Sequence, residues 1–188
     1  MSILVTGCAG FIGSHLCDYI LKNNLYKTIY GLDNLDPYYN IDQKKENLKI
    51  LNKYENFIFL EESIINTDAI NKFKPDIVCH LGSLAGVRNS IENPIEYAKI
   101  NILGMINLLE QSKDNNITNF VFASSSSVYG LNIISPFTET QNIDLINSPY
   151  AASKKTMEIY GKLYNQLYDM NIIGLRFFTV YGPRGRPD

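Results

Sequence analysis

The stretch Gly7-Cys8-Ala9-Gly10-Phe11-Ile12-Gly13 sets three glycines three residues apart. An apolar run, Ser2–Thr6, precedes it, and Leu16, Ile20 and Leu21 follow at helical spacing over Gly13–Lys22. Strand, glycine turn and helix in that order present backbone N–H groups at a helix N-terminus, where the main chain can come close to a pyrophosphate. The spacing is G-x-x-G-x-x-G and not the more frequent G-x-G-x-x-G, so the reading depends on context. The context is Asp33, twenty residues past Gly13, closing a second apolar run over Thr28–Leu32. A carboxylate at the end of a second strand accepts hydrogen bonds from a ribose diol and repels a 2′-phosphate, which favours NAD over NADP.

Outward from this loop, strands and helices alternate. Phe57–Leu60 reads as a third strand after a lysine-rich helical stretch over Gln43–Leu51. A fourth strand covers Asp76–Leu81, followed by a helix over Ile95–Ser112 with Ala98, Ile102, Met105 and Leu109 along its inner face. Asn119–Ser124 is a fifth strand, Tyr150–Tyr168 a long helix and Ile172–Phe178 a sixth strand. The strands are apolar throughout instead of alternating, the mark of a parallel sheet covered on both faces. The expectation is therefore an α/β fold, a Rossmann-type doubly wound parallel sheet with right-handed crossovers.

Composition narrows the function. The 188 residues carry 17 Lys+Arg against 19 Asp+Glu, a formal net charge of -2, which argues against nucleic acid as a partner. No apolar run reaches the roughly 20 residues of a bilayer span, and the N-terminus lacks a basic region followed by an apolar core, so neither a membrane protein nor a leader is expected. Cys8, Cys17 and Cys79 form no C-x-x-C pair, and His15 and His80 are too few for a cluster. No metal site is expected, and a reducing cytoplasm is the natural compartment.

Tyr150-Ala151-Ala152-Ser153-Lys154 places a phenol and an ammonium four residues apart, one turn along one helix face. A phenol of pKa about 10 needs a nearby positive charge to act as a base. Taken alone, Y-x-x-x-K decorates many helix surfaces. The run Phe122-Ala123-Ser124-Ser125-Ser126-Ser127-Val128-Tyr129-Gly130 supplies the second half, because it leaves the fifth strand at the carboxyl end where open α/β sheets bind ligands. If the strand continues, Ser125 and Ser127 point to one side and Ser124 and Ser126 to the other.

Together these residues resemble the extended short-chain dehydrogenase/reductase family, in particular its NAD-dependent sugar-nucleotide epimerases and dehydratases. Within it, three segments most resemble UDP-glucuronate 4-epimerases: Leu84 to Pro94, Ala123 to Gly130 and Leu175 to Asp188. The resemblance implies Gly7, Gly10, Phe11, Ile12 and Gly13 at the pyrophosphate and Asp33 with Asn34 at the adenosine ribose. It implies Leu81, Gly82 and Ser83 along the cofactor groove and Asn101 near the nicotinamide. Tyr150 would be the base, Lys154 its activator, and Ser125 the hydroxyl partner, with Ser127 as second candidate. Ser126, Thr179, Arg186 and Arg88 would face the substrate, the arginines as clamps for its carboxylate. The family's acidic residue at adenine is replaced by Ser63-Ile64, and the Asp-Glu pair of the dehydratases by Ser126-Ser127.

The resemblance further implies a UDP-sugar substrate, a transient 4-keto intermediate and a homodimer. It implies that relatives continue into a substrate domain, so residues 1–188 are read as an NAD-binding Rossmann domain incomplete at its C-terminal end. A non-catalytic NAD-binding fragment and a UDP-glucuronate decarboxylase remain alternatives.

Overall fold

A computed structural model describes residues 1–132, 134–141 and 144–185. Six parallel strands lie in the order β3-β2-β1-β4-β5-β6. They are β1 (Ser2–Thr6), β2 (Thr28–Leu32), β3 (Phe57–Leu60), β4 (Ile77–His80), β5 (Asn119–Ala123) and β6 (Asn171–Leu175). The first strand sits at the centre, paired with β2 on one side and β4 on the other.

Burial on both faces explains the uninterrupted apolar strands. Ile3 and Val5 point into a layer built with Cys17, Ile20 and Leu21 of α1 (Phe11–Lys22) and with Leu48 and Leu51 of α2 (Ile41–Leu51). Leu4 points the other way, into a layer with Met105, Leu108 and Leu109 of α6 (Gly104–Asp114) and Met157 and Tyr164 of α7 (Pro149–Tyr168). This is the doubly wound arrangement anticipated above. Phe120 and Phe122 of β5 are almost fully buried in the second layer. Truncating either to Ala would remove about 3–5 kcal/mol.

Several elements depart from the sequence reading. Two short helices, α3 (Ala69–Phe73) and α4 (Val87–Glu92), interrupt stretches with no evident period. The helix expected over Ile95–Ser112 is α5 (Pro94–Tyr97), then a π-helical stretch over Ala98–Leu103, then α6. Wider π turns shift the register, so Tyr97 and Asn101 face inward in place of Ala98 and Ile102. Finally β5 and β6 stop at Ala123 and Leu175, and of the residues expected to prolong them Ser124, Phe177 and Phe178 turn away as walls of a cleft.

Candidate active site

The strand order reverses between β1 and β4, and there, beyond the strands' carboxyl ends, lies a cleft of about 750 Å³. Crevices at such a switch point are where open α/β sheets take their ligands. The glycine loop forms its floor. Gly7 has φ +71°, and a Cβ there would fall 2.7 Å from Gly82 N; a Cβ on Gly13 would fall 2.1 Å from Gly7 O. Only glycine allows this close crossing of β1, the loop after β4 and the first turn of α1. Gly10 caps α1 without a side-chain hydrogen bond, and the first turn holds no acidic residue. The helix N-terminus therefore stays attractive to an anion.

At one end of the cleft, Asp33 is buried and well held: Oδ2 accepts from Ala9 N at 3.1 Å and Oδ1 from Leu35 N at 2.9 Å. Lys44 Nζ lies 3.7 Å from Oδ1 and 5.1 Å from the centroid of the Tyr39 ring. Lys44, Tyr38, Tyr39 and Glu62 line this end and escaped the sequence reading. A signal existed for Lys44: it stands at the inward spacing of Lys44-Asn47-Leu48-Leu51, where an amphipathic helix would ordinarily place an apolar side chain.

At the other end stand Tyr150 and Lys154. Ser148 caps α7 by accepting from Ala151 N at 3.1 Å, and Pro149 opens the helix, which puts Tyr150 in its first turn. Both Tyr150 and Lys154 line the cleft, with Lys154 Nζ 5.9 Å from the Tyr150 ring centroid. Lys154 is 1% exposed; burial pulls its ammonium down to about 7, and its Nζ donates to Ser83 Oγ and Ala123 O, both at 2.8 Å.

Behind them His80 is wholly enclosed. Its Nδ1 lies 2.8 Å from Thr6 Oγ1, which also accepts from Gly82 N, and its Nε2 has no partner among the described residues. Burial, aided by the charge of Lys154, pulls the imidazole down to about 3.

The cleft gathers Gly7, Gly10, Phe11, Ile12, Gly13, Asp33, Asn34, Ser63, Ile64, Leu81, Gly82, Ser83, Ser125, Tyr150, Lys154 and Thr179. Ser126, Ser127, Arg88 and Asn101 are not among the residues lining it. The serine run does not continue as a strand: Ser125 accepts from Ser127 N at 3.1 Å and caps a 3₁₀ turn, Ser126–Tyr129, which carries Ser126 and Ser127 away. Asn101 acts one shell back, accepting from Leu84 N at 2.8 Å and donating to Ser153 Oγ at 2.9 Å. Arg88 sits on α4, and Arg186 lies outside the described residues. Among the described residues no three His, Cys, Asp or Glu side chains gather as a metal site, and no helix is long and apolar enough to cross a membrane.

A second network flanks the serines. Glu158, two turns past Tyr150, accepts from Ser124 Oγ and from Arg176 Nε and Nη2 at 2.9 Å each. The guanidinium also lies over the Tyr129 ring at 5.0 Å.

A glycine-floored crevice with an acidic residue at one end and a Tyr–Lys pair at the other defines a dinucleotide-binding type of fold, and residues 3–188 match the NAD dependent epimerase/dehydratase family. The chain belongs to that family. It is 47% identical to Protein CapI of Staphylococcus aureus, over all of this chain and 57% of that protein. It is 43% identical to a UDP-glucuronate 4-epimerase of Thermodesulfobacterium geofontis, over 98% of this chain and 58% of the relative. Among solved structures, UDP-glucuronic acid 4-epimerase from Bacillus cereus, in complex with UDP-glucuronic acid and NAD, superposes with a TM-score of 0.93 at 38% identity, over 100% of this chain and 60% of that one. The chain thus spans less than two thirds of the relatives it matches.

Proposed function

We propose that residues 1–188 are the NAD-binding domain of a sugar-nucleotide 4-epimerase that interconverts UDP-glucuronate and UDP-galacturonate. The observation that carries this reading is one continuous cleft running from the glycine loop and Asp33 to Tyr150, Lys154 and Ser125. The family match, and relatives named for that reaction, support it.

The residues present fit the cofactor. The uncapped α1 N-terminus and the crowded glycines suit a pyrophosphate, and the anchored Asp33 carboxylate suits a ribose diol. When bound, NAD supplies a hydride acceptor that later returns the hydride. Tyr150 takes the proton of the sugar's 4′-hydroxyl, and Ser125 shares the hydrogen bond to that oxygen. Lys154 favours the phenolate in its ammonium form, the form that Ser83 Oγ and Ala123 O stabilise by accepting its protons. Thr179 faces the 4-keto sugar as it turns to present its other side. Arg186 is the remaining candidate for the carboxylate clamp, since Arg88 does not line the cleft. A cytoplasmic homodimer completes the proposal.

Measuring NAD binding and UDP-glucuronate conversion separately tests it. Tyr150→Phe should abolish conversion and keep NAD binding; full turnover by that variant refutes the base assignment. The alternative reading is a cofactor-binding unit without activity of its own. NAD binding without conversion by the wild-type chain would select it. Release of carbon dioxide would select the decarboxylase.

A further inference from the structure

We propose that the segment Tyr181–Gly185 is a strap that retains the dinucleotide, and that His15 and Gln43 are the positioning residues that fasten it. The proposal rests on the reading of the cleft as an NAD site.

After β6 the chain runs along the mouth of the cleft, where Thr179, Val180, Tyr181, Gly182 and Gly185 line the same space as Gly7, Gly10 and Gly13. It then lands on the two helices of the opposite wall. A Cβ built on Gly182 would lie 3.7 Å from the Phe11 ring, so the strap passes against the first residue of α1.

Two side chains hold it there. The His15 ring uses both nitrogens: Nε2 donates to Pro183 O at 2.8 Å, and Nδ1 accepts from Arg184 Nη2 at 2.8 Å. That pattern needs a neutral imidazole with its proton on Nε2. Gln43 Nε2 donates to two consecutive carbonyls, Arg184 O at 2.9 Å and Gly185 O at 2.8 Å. Arg184 adopts φ +62°, a left-handed conformation that turns both carbonyls toward Gln43, and its Nη2 lies 3.9 Å from Asp18 Oδ2.

Neither His15 nor Gln43 lines the cleft. Both bond mainly to strap backbone, so they act on whatever occupies the cleft only by keeping this wall in place. A released strap widens the exit without removing a binding group. Its loss therefore speeds escape of the ligand more than it slows entry.

The test uses the 188-residue chain and NADH fluorescence in stopped flow, with three variants. Gln43→Glu turns a donor shared by two carbonyls into an acceptor that repels them. His15→Ala removes the other fastening, and His15→Gln keeps one donor and one acceptor in its place. Losing either fastening should raise the NADH release rate about tenfold, the effect of removing hydrogen bonds of ordinary strength, with association within about twofold. His15→Gln should return release to within about threefold of wild type. In parallel, trypsin cleavage of the Arg184–Gly185 bond in cofactor-free protein should quicken about tenfold in Gln43→Glu and His15→Ala, reporting strap opening directly.

Faster cleavage with unchanged NADH release would show a fastened segment that retains nothing, and overturns the proposal. Unchanged cleavage in both variants overturns it as well. Failure of the wild-type chain to bind NADH would instead refute the cofactor reading, while the trypsin comparison still reports on the fastening.

Discussion

Lowering the pH below 6.5 protonates an unfolded histidine but not His80 in the folded chain, whose imidazole is held down to about 3. The ring is 1% exposed, one nitrogen is engaged with Thr6 Oγ1, and the other faces no partner among the described residues. A proton there would bury a charge beside Lys154 with nothing to accept its second N–H. The folded pKa lies below the unfolded one, so the unfolded state binds more protons between these values. Stability is complete above about pH 6.5 and falls as acid is added down to about pH 3. At about pH 5 one such group costs about 2 kcal/mol, taking 1.36 kcal/mol per pH unit over the 1.5 units below 6.5. Urea unfolding of wild type and His80→Asn at about pH 7 and about pH 5 isolates this contribution, because the other titrating groups are common to both proteins. Wild type should lose about 2 kcal/mol more than the variant between the two conditions. Equal losses would show that His80 titrates freely and that its enclosure is not what the geometry describes.

Other perturbations probe the cleft and its supports. Gly13→Ala drives a Cβ against Gly7 O and should abolish NADH binding, read by fluorescence, while far-UV circular dichroism keeps the sheet signal. Asp33→Ser removes the carboxylate that repels a 2′-phosphate and leaves Lys44 to attract one, so the ratio of NADPH to NADH affinity should rise at least about tenfold in titrations. Glu158→Ala strands the Arg176 guanidinium in a partly buried position and frees Ser124; calorimetry should show a loss of about 2–3 kcal/mol, short of the cost of breaking a fully buried pair.

How far the amino-acid sequence speaks for itself differs between sheet and site. The first three strands were legible to the residue because each is buried on both faces and bounded by turn residues, as Ser2–Thr6 illustrates. The last three were read too long. Ser124 and Arg176-Phe177-Phe178 look like strand, but Ser124, Phe177 and Phe178 leave the sheet to wall the cleft and Arg176 turns to Glu158. Helices of five or six residues such as α3 and α4 offer too little period to register. A π-helical stretch breaks the 3.6-residue rule itself, and so Ala98 and Ile102 read as the inner face where Tyr97 and Asn101 are the buried residues. Among the residues lining the cleft, the glycines and the Tyr150–Lys154 pair announce themselves by local spacing, and Asp33 by closing the second strand. Lys44, Gln43 and His15 do not, since their partners lie across the fold.

The strand order also prescribes how the sheet can be assembled. Because β1 is central and comes before the other five strands of the sheet, it can act as the seed: β2 and β3 extend it in one direction, and β4, β5 and β6 extend it in the other, each onto an edge already present. A nascent chain leaving the ribosome from its N-terminus could therefore grow the sheet outward without inserting a strand between two that have already paired. In this order the glycine turn is shaped only when β4 arrives, since Gly82 is what closes over Gly7. The crevice thus takes shape before the helix bearing Tyr150 has been made.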